Sequence, residues 1–130
     1  MARHLSFTKF IDPVHENYDV FGEAKHLRTF FAINFRCPPF NNEKSLCIIL
    51  SNLKCLRVLS FQSFPNLDAL PDSIGELIHL RYLDLSYTKI TTLPESLCNL
   101  YNLQTLKLYR CQKLSRLPNG MQNLVIFPFL

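Results

Sequence analysis

Asp72, Glu76, Asp84 and Glu95 place four carboxylates within residues 72–95, and paired carboxylates are what general acid–base hydrolysis uses. They recur at variable or outward sites, which reads as a solvated face. Ser86 and Ser96 would need a base and an orienting acid to act as nucleophiles, and no His–Asp arrangement accompanies them. The four histidines, His4, His15, His26 and His79, lie far apart without metal-ligand partners, and His79, between Leu77 and Leu80, reads as a polar surface residue. Gly22, Gly75 and Gly120 are too few and too scattered for a phosphate-cradling loop. Cys37, Cys47, Cys55, Cys98 and Cys111 include no Cys-x-x-Cys pair and read as small buried hydrophobes in a reducing compartment. The chemistry-bearing residues therefore predict no enzyme, no metal and no cofactor, and leave surface recognition as the function to look for.

The elements that would carry such a surface are set by leucines. The stretch from Leu77 to Leu100 has them at Leu77, Leu80, Leu83, Leu85, Leu93, Leu97 and Leu100. Matching apolar residues occur upstream at Leu53, Leu56, Leu59, Phe61, Leu67, Leu70 and Ile74, and downstream at Leu100, Leu103, Leu106, Leu108, Leu114, Leu117 and Met121. Leu53, Leu77, Leu100 and Leu124 are equivalent, separated by 24, 23 and 24 residues, and Pro71, Pro94 and Pro118 recur at one fixed site. That period is the one of leucine-rich repeats. The fold class is α/β: a solenoid with short parallel strands on its concave face and irregular or helical turns on its convex face. Residues 1–52 read as degenerate N-terminal repeats forming a cap, residues 53–76, 77–99 and 100–123 as three full repeats, and residues 124–130 as a truncated fourth. Within the cap, His4–Phe7 and the segment from Leu27 to Ile33, with its Leu27-x-x-Phe30 fragment, are strand-like. Leu46, Ile49, Leu50 and Leu53 share one face of a short helix with Asn41 or Asn42 near its start.

Within each repeat the segments 57–63, 81–87 and 104–110 alternate with period 2 and send Leu59/Phe61, Leu83/Leu85 and Leu106/Leu108 inward. The partners in alternation face out: Val58, Ser60, Gln62 and Ser63; Tyr82, Asp84, Ser86 and Tyr87; Thr105, Lys107, Tyr109 and Arg110. Tyrosine and arginine are the residue types that anchor protein interfaces. Tyr82, Asp84, Ser86, Tyr87, Lys107, Tyr109 and Arg110 are accordingly the candidate partner-binding residues. The position after the strand, usually Asn or Cys in this repeat class, holds Phe64, Thr88 and Cys111; Cys111 meets the pattern, Thr88 can substitute through its hydroxyl, and Phe64 cannot.

The formal charge of +4, from 14 basic and 10 acidic residues in a chain of 130, is spread without a run of like charge. It excludes a dedicated nucleic-acid arm or a polybasic membrane patch. No apolar run approaches the length of a membrane span, the N-terminus lacks the apolar core of a signal peptide, and no Asn-x-Ser/Thr acceptor occurs. The expected location is cytoplasmic.

The run LPDSIGELIHLRYLDLSYTKITTLPESLCNLYNLQTLKLYRCQKLSRLP, residues 70–118, resembles the start of the leucine-rich-repeat region of plant nucleotide-binding disease-resistance proteins. RHLSF at 3–7, LRTF at 27–30 and LRVLSF at 56–61 follow in that family's order. The resemblance implies a fragment of an intracellular plant immune receptor that acts in defence. Its partner would be a protein: a pathogen effector, a guarded host protein, or the receptor's own missing domains. That family's nucleotide-binding domain precedes this region, so no nucleotide-binding residue is carried over. The competing expectations are an intracellular repeat scaffold for signalling enzymes and a truncated gene product without function.

Overall fold

The computed structural model describes residues 4–7, 26–32, 47, 50–64 and 67–123. Five strands, β1 (His4–Phe7), β2 (Thr29–Ala32), β3 (Val58–Ser60), β4 (Tyr82–Asp84) and β5 (Thr105–Lys107), form one parallel sheet in sequence order. Repeat equivalence and strand register coincide: Leu5, Phe30, Leu59, Leu83 and Leu106 stand side by side across the five strands. A row of three or four residues is too short to be stable by itself. It persists because each row hydrogen-bonds and buries its leucines against the next.

The three-residue strands are shorter than the seven-residue alternating segments of the sequence, yet the ladder runs on past them. Phe61 and Ser63 donate their N–H groups to the Asp84 and Ser86 carbonyls at 2.8 and 2.9 Å, and Leu85 and Tyr87 donate to Lys107 and Tyr109 at 2.9 and 2.8 Å. Inward-facing positions therefore continue through Phe61, Leu85 and Leu108, and the alternation ends at Ser63, Tyr87 and Arg110. Leu59, Phe61, Leu83, Leu85 and Leu106 are fully buried and Leu108 nearly so. Leu53, Leu77 and Leu100 close the core from the convex side together with Leu56, Leu80 and Leu103. At about 2 kcal/mol for each fully buried leucine relative to leaving it exposed, this column is the main favourable contribution to the fold.

On the convex side the chain returns through 3₁₀ turns at Asp72–Glu76, Glu95–Asn99 and Asn119–Asn123. Each recurring proline sits just before its turn in extended conformation, with φ −69° at Pro71 and −70° at Pro94. There the missing N–H costs nothing, and the proline carbonyls accept the N–H groups of Ile74, Leu97 and Met121 at 3.1–3.2 Å. Strands in front and 3₁₀ turns behind confirm the α/β solenoid. Cys47 and residues 50–52 are α-helical with Leu50 fully buried, whereas Leu46, Ile49, Asn41 and Asn42, like residues 124–130, lie outside the described residues.

The position after the strand is handled three ways. Thr88 donates its hydroxyl to the Leu85 carbonyl at 2.7 Å, and the Cys111 thiol reaches back one repeat to the same carbonyl at 3.0 Å. The thiol and the hydroxyl are 3.7 Å apart, so two successive repeats share one partly buried polar contact. Phe64 packs edge-on against Phe61 at 5.5 Å, and Phe61 meets Phe30 at 6.3 Å. An aromatic stack thus stands where the first full repeat lacks the polar one. The four cysteines among the described residues, Cys47, Cys55, Cys98 and Cys111, are free thiols but only half buried, a correction to the buried reading: they lie in the helix, turns and returns between the strands rather than on the inward strand positions. Burial pushes the Cys98 thiol above its ordinary pKa and the Glu95 charge adds to this, while a hydrogen bond with the Gly120 backbone works the other way.

The spacing of the convex turns rests on small residues. A Cβ on Gly75 would lie 2.7 Å from the backbone carbonyl oxygen of Ser96, and one on Gly120 would lie 2.9 Å from the Cys98 thiol. The first obstacle is backbone and cannot yield; the second is the Cys98 side chain, whose thiol can rotate although its Cβ also lies 3.0 Å away. Gly75→Ala should therefore destabilise by about 1–3 kcal/mol, despite alanine's better helical propensity, and Gly120→Ala by clearly less. Thermal melts of the two variants check this, and a Gly75→Ala protein as stable as the parent would refute the small-residue contact.

Candidate interaction surface

The concave edge is built where β4 and β5 run into their turns. Tyr82 at the start of β4 is half buried, with the Lys107 ammonium 5.5 Å from its ring centre. Tyr87 and Tyr109, one row apart, are 50% and 51% exposed, and their rings meet edge to face at 5.5 Å and 74°. The Arg110 guanidinium lies over the Tyr109 ring at 5.6 Å. Four of the seven candidate residues thus make two cation–ring pairs, and Tyr87 joins the second through the tyrosine contact. Each such pair contributes roughly 0.5–1 kcal/mol at an exposed site, which biases the long side chains toward the rings.

Asp84 and Ser86 behave differently. They lie on the same face but are 5% and 3% exposed, so the expectation of a solvated Asp84 is corrected. The Asp84 carboxylate accepts the Ser86 N–H at 2.9 Å and stands 3.5 Å from the Tyr82 hydroxyl, while Ser86 Oγ accepts the Tyr109 N–H at 3.2 Å. These bonds hold the turns on which Tyr87 and Tyr109 are displayed. In register, Asp84 sits between Ser60 and Lys107, whose rows screen it from solvent. The two residues are the floor of the surface rather than its contact points. A concavity of about 380 Å³ opens above them, lined by Gln62, Tyr82, Tyr87, Lys107 and Tyr109.

One feature escaped the alternation pattern. Ser63, Tyr87 and Arg110 have φ of 60°, 60° and 59°, all in the left-handed region and at equivalent repeat positions. A non-glycine residue there is strained by roughly 1–2 kcal/mol. At Ser63 and Tyr87 the residue's own N–H, bonded to the next row, helps hold the conformation in place. The repeat alignment itself, which superimposes Ser63, Tyr87 and Arg110, was the available signal. A second concavity, of about 480 Å³, lies on the flank past these turns, lined by Tyr87, Thr88, Lys89, Arg110, Gln112 and Lys113. Lys89 and Lys113 belong to the irregular return path, to which period-2 reasoning does not apply.

Among the described residues, no group of three or more His, Cys, Asp or Glu could hold a metal ion, and no helix is long and apolar enough to cross a membrane. His26 and His79 are both exposed. Ser86 Oγ is engaged as an acceptor and has no histidine beside it among the described residues.

Stacked strands, 3₁₀ returns and an outward tyrosine edge define a repeat solenoid, and the sequence match agrees: residues 34–129 fit the family described as a leucine-rich repeat region. The chain belongs to the leucine-rich-repeat family. It is 35% identical over 114 residues to disease resistance RPP13-like protein 1 of Arabidopsis thaliana, which covers 81% of this chain and 10% of that protein. It is 42% identical over 77 residues to disease resistance protein RFL1 of the same plant, covering 57% of this chain and 9% of the relative. The chain therefore spans about a tenth of the length of these curated relatives. A leucine-rich-repeat protein of Leptospira interrogans has a similar fold, with a TM-score of 0.61 and 28% identity over 84% of this chain and 26% of that one.

The left-handed turns make a stability prediction with a sign. Ser63→Gly relieves a strained position and should stabilise by about 0.5–1 kcal/mol after the extra entropy of glycine in the unfolded chain is subtracted. Ser60→Gly, three residues earlier in an ordinary strand, should destabilise by about 0.5–1 kcal/mol. Denaturant unfolding of the pair distinguishes them, and effects of the same sign would contradict the strained-turn description.

Proposed function

We propose that this chain is a non-catalytic protein-recognition segment of a plant immune receptor acting in the cytoplasm. Residues 1–52 serve as its degenerate capping repeats, and the three repeats from residue 53 to 123 carry the recognition surface. Its partner is a protein: a pathogen effector, a host protein under guard, or another domain of the same receptor. The observation that carries this reading is the half-exposed Tyr87–Tyr109 pair flanked by Lys107 and Arg110. Aromatic side chains and arginine are what dominates the energy of a protein interface. The likeness to disease-resistance proteins over four-fifths of the chain supports the immune setting.

Size bounds the claim. A few exposed side chains on three rows cover on the order of a few hundred Å², whereas a standard interface takes about 800 Å² from each partner. This edge therefore acts as the anchor of a larger contact to which neighbouring surface contributes.

A photo-crosslinking side chain placed at Tyr109 tests the reading in plant leaf cells, with the same group at Tyr101 as control, since Tyr101 is 78% exposed and lies before β5 rather than after it. The expected result is a discrete protein adduct from position 109 and none, or a much weaker one, from position 101. Equal adducts from both positions, or none from 109, would overturn it.

A further inference from the structure

The flank past Tyr87 and Tyr109 differs in charge from the rest of the surface. Lys89, Arg110 and Lys113 line the concavity of about 480 Å³, and no carboxylate does. Asp84, on the same face as the tyrosines, is buried and occupied by the Ser86 N–H. Neither Arg110 nor Lys113 has an ion-pair partner among the described residues, where Lys54 and Glu76 pair at 3.7 Å instead. Arg110 has its backbone at φ 59° and its guanidinium 5.6 Å from the Tyr109 ring centre, and a guanidinium binds a carboxylate through two parallel bonds.

We infer that the edge formed by Tyr87, Tyr109, Arg110 and Lys113 takes an acidic, extended segment of a protein partner, with carboxylates on Arg110 and Lys113 and an apolar or aromatic side chain on the tyrosine pair. This deepens the protein-recognition reading above and rests on it. Charge complementarity selects the occupant, because a net charge of +4 and the two cations Arg110 and Lys113 on this edge attract acidic chains and repel basic ones. An extended segment fits because the concavities on the two sides of Tyr87 flank one wall, so a strand laid over that ring reaches Lys107 on one side and Arg110 and Lys113 on the other. Nucleic acid is the weaker occupant. Tight phosphate-backbone binding draws on roughly 6–10 cationic contacts, more than this edge offers. The tyrosines meet edge to face at 74° and form no parallel slot for a base.

The test uses the full chain and fluorescence anisotropy with three labelled probes. One is a ten-residue peptide of alternating Asp and Glu around a central Phe, one its Asn/Gln counterpart, and one a ten-nucleotide oligothymidylate. The acidic peptide should bind at least tenfold more tightly than either of the others, and more weakly as salt is raised. Arg110→Glu with Lys113→Glu should weaken it at least tenfold, while Lys54→Glu, on another face, should change it less than twofold. Lys113→Glu alone, in an exposed turn, should still weaken it severalfold and serves if the double variant does not fold. Failure of the acidic peptide to bind, equal binding of the amide peptide, tighter binding of the oligonucleotide, or indifference to the charge reversals would each overturn the inference. Adducts from position 109 together with any of those results would sink this inference and leave the protein-recognition reading standing; loss of both would sink the two together.

Discussion

Everything in this molecule depends on one constraint: a row of three strand residues has no core of its own and can bury its leucines only against an equivalent row. That is why Leu59, Leu83 and Leu106 fall in register and are fully buried. It is also why the convex turns must keep a fixed spacing. Where the rows come together behind, Gly75 lies against the Ser96 backbone and Gly120 against Cys98, contacts that a single methyl group would fill. The partly buried bond from the Cys111 thiol to the Leu85 carbonyl adds a side-chain polar link between two rows.

The same stacking generates the functional edge. Because each row repeats the backbone of the last, the turn at the end of the strand reaches a left-handed conformation three times, at Ser63, Tyr87 and Arg110. Side chains that leave the turn at neighbouring positions in successive rows meet one another. Tyr87 and Tyr109 therefore touch although 22 positions separate them in sequence, and Arg110 covers the ring beside it. Identical leucines make the scaffold, and the residues that differ from row to row make the surface.

Much of the fold could be read from the sequence because it is written in a period. The leucine spacing located β3, β4 and β5, and the fragment Leu27-x-x-Phe30 located β2, whose Phe30 stands beside Leu59. Face was legible too, since period-2 alternation assigns each residue to one side of a strand. Exposure was not. Asp84 and Ser86 lie on the outward face as expected, yet neighbouring rows close over them and turn amides occupy them, and alternation carries no information about either. Lys89 and Lys113 were missed for a related reason, since they sit in the return path, which has no strand period. Phe64 was recognised as unable to hydrogen-bond, but its packing on Phe61 requires knowing that Phe30 lies on the other side.

Scaffold and surface are separate in this molecule: the leucine column holds the fold and the tyrosine edge is free to recognise. Equilibrium unfolding of Leu83→Ala beside Tyr87→Ala tests it most directly. Leu83 is fully buried at the middle of the column, and its truncation should cost about 2–5 kcal/mol. Tyr87 is half exposed and its truncation should cost less than about 1 kcal/mol. Equal losses from the two substitutions would show that the edge belongs to the scaffold, and the account would fail.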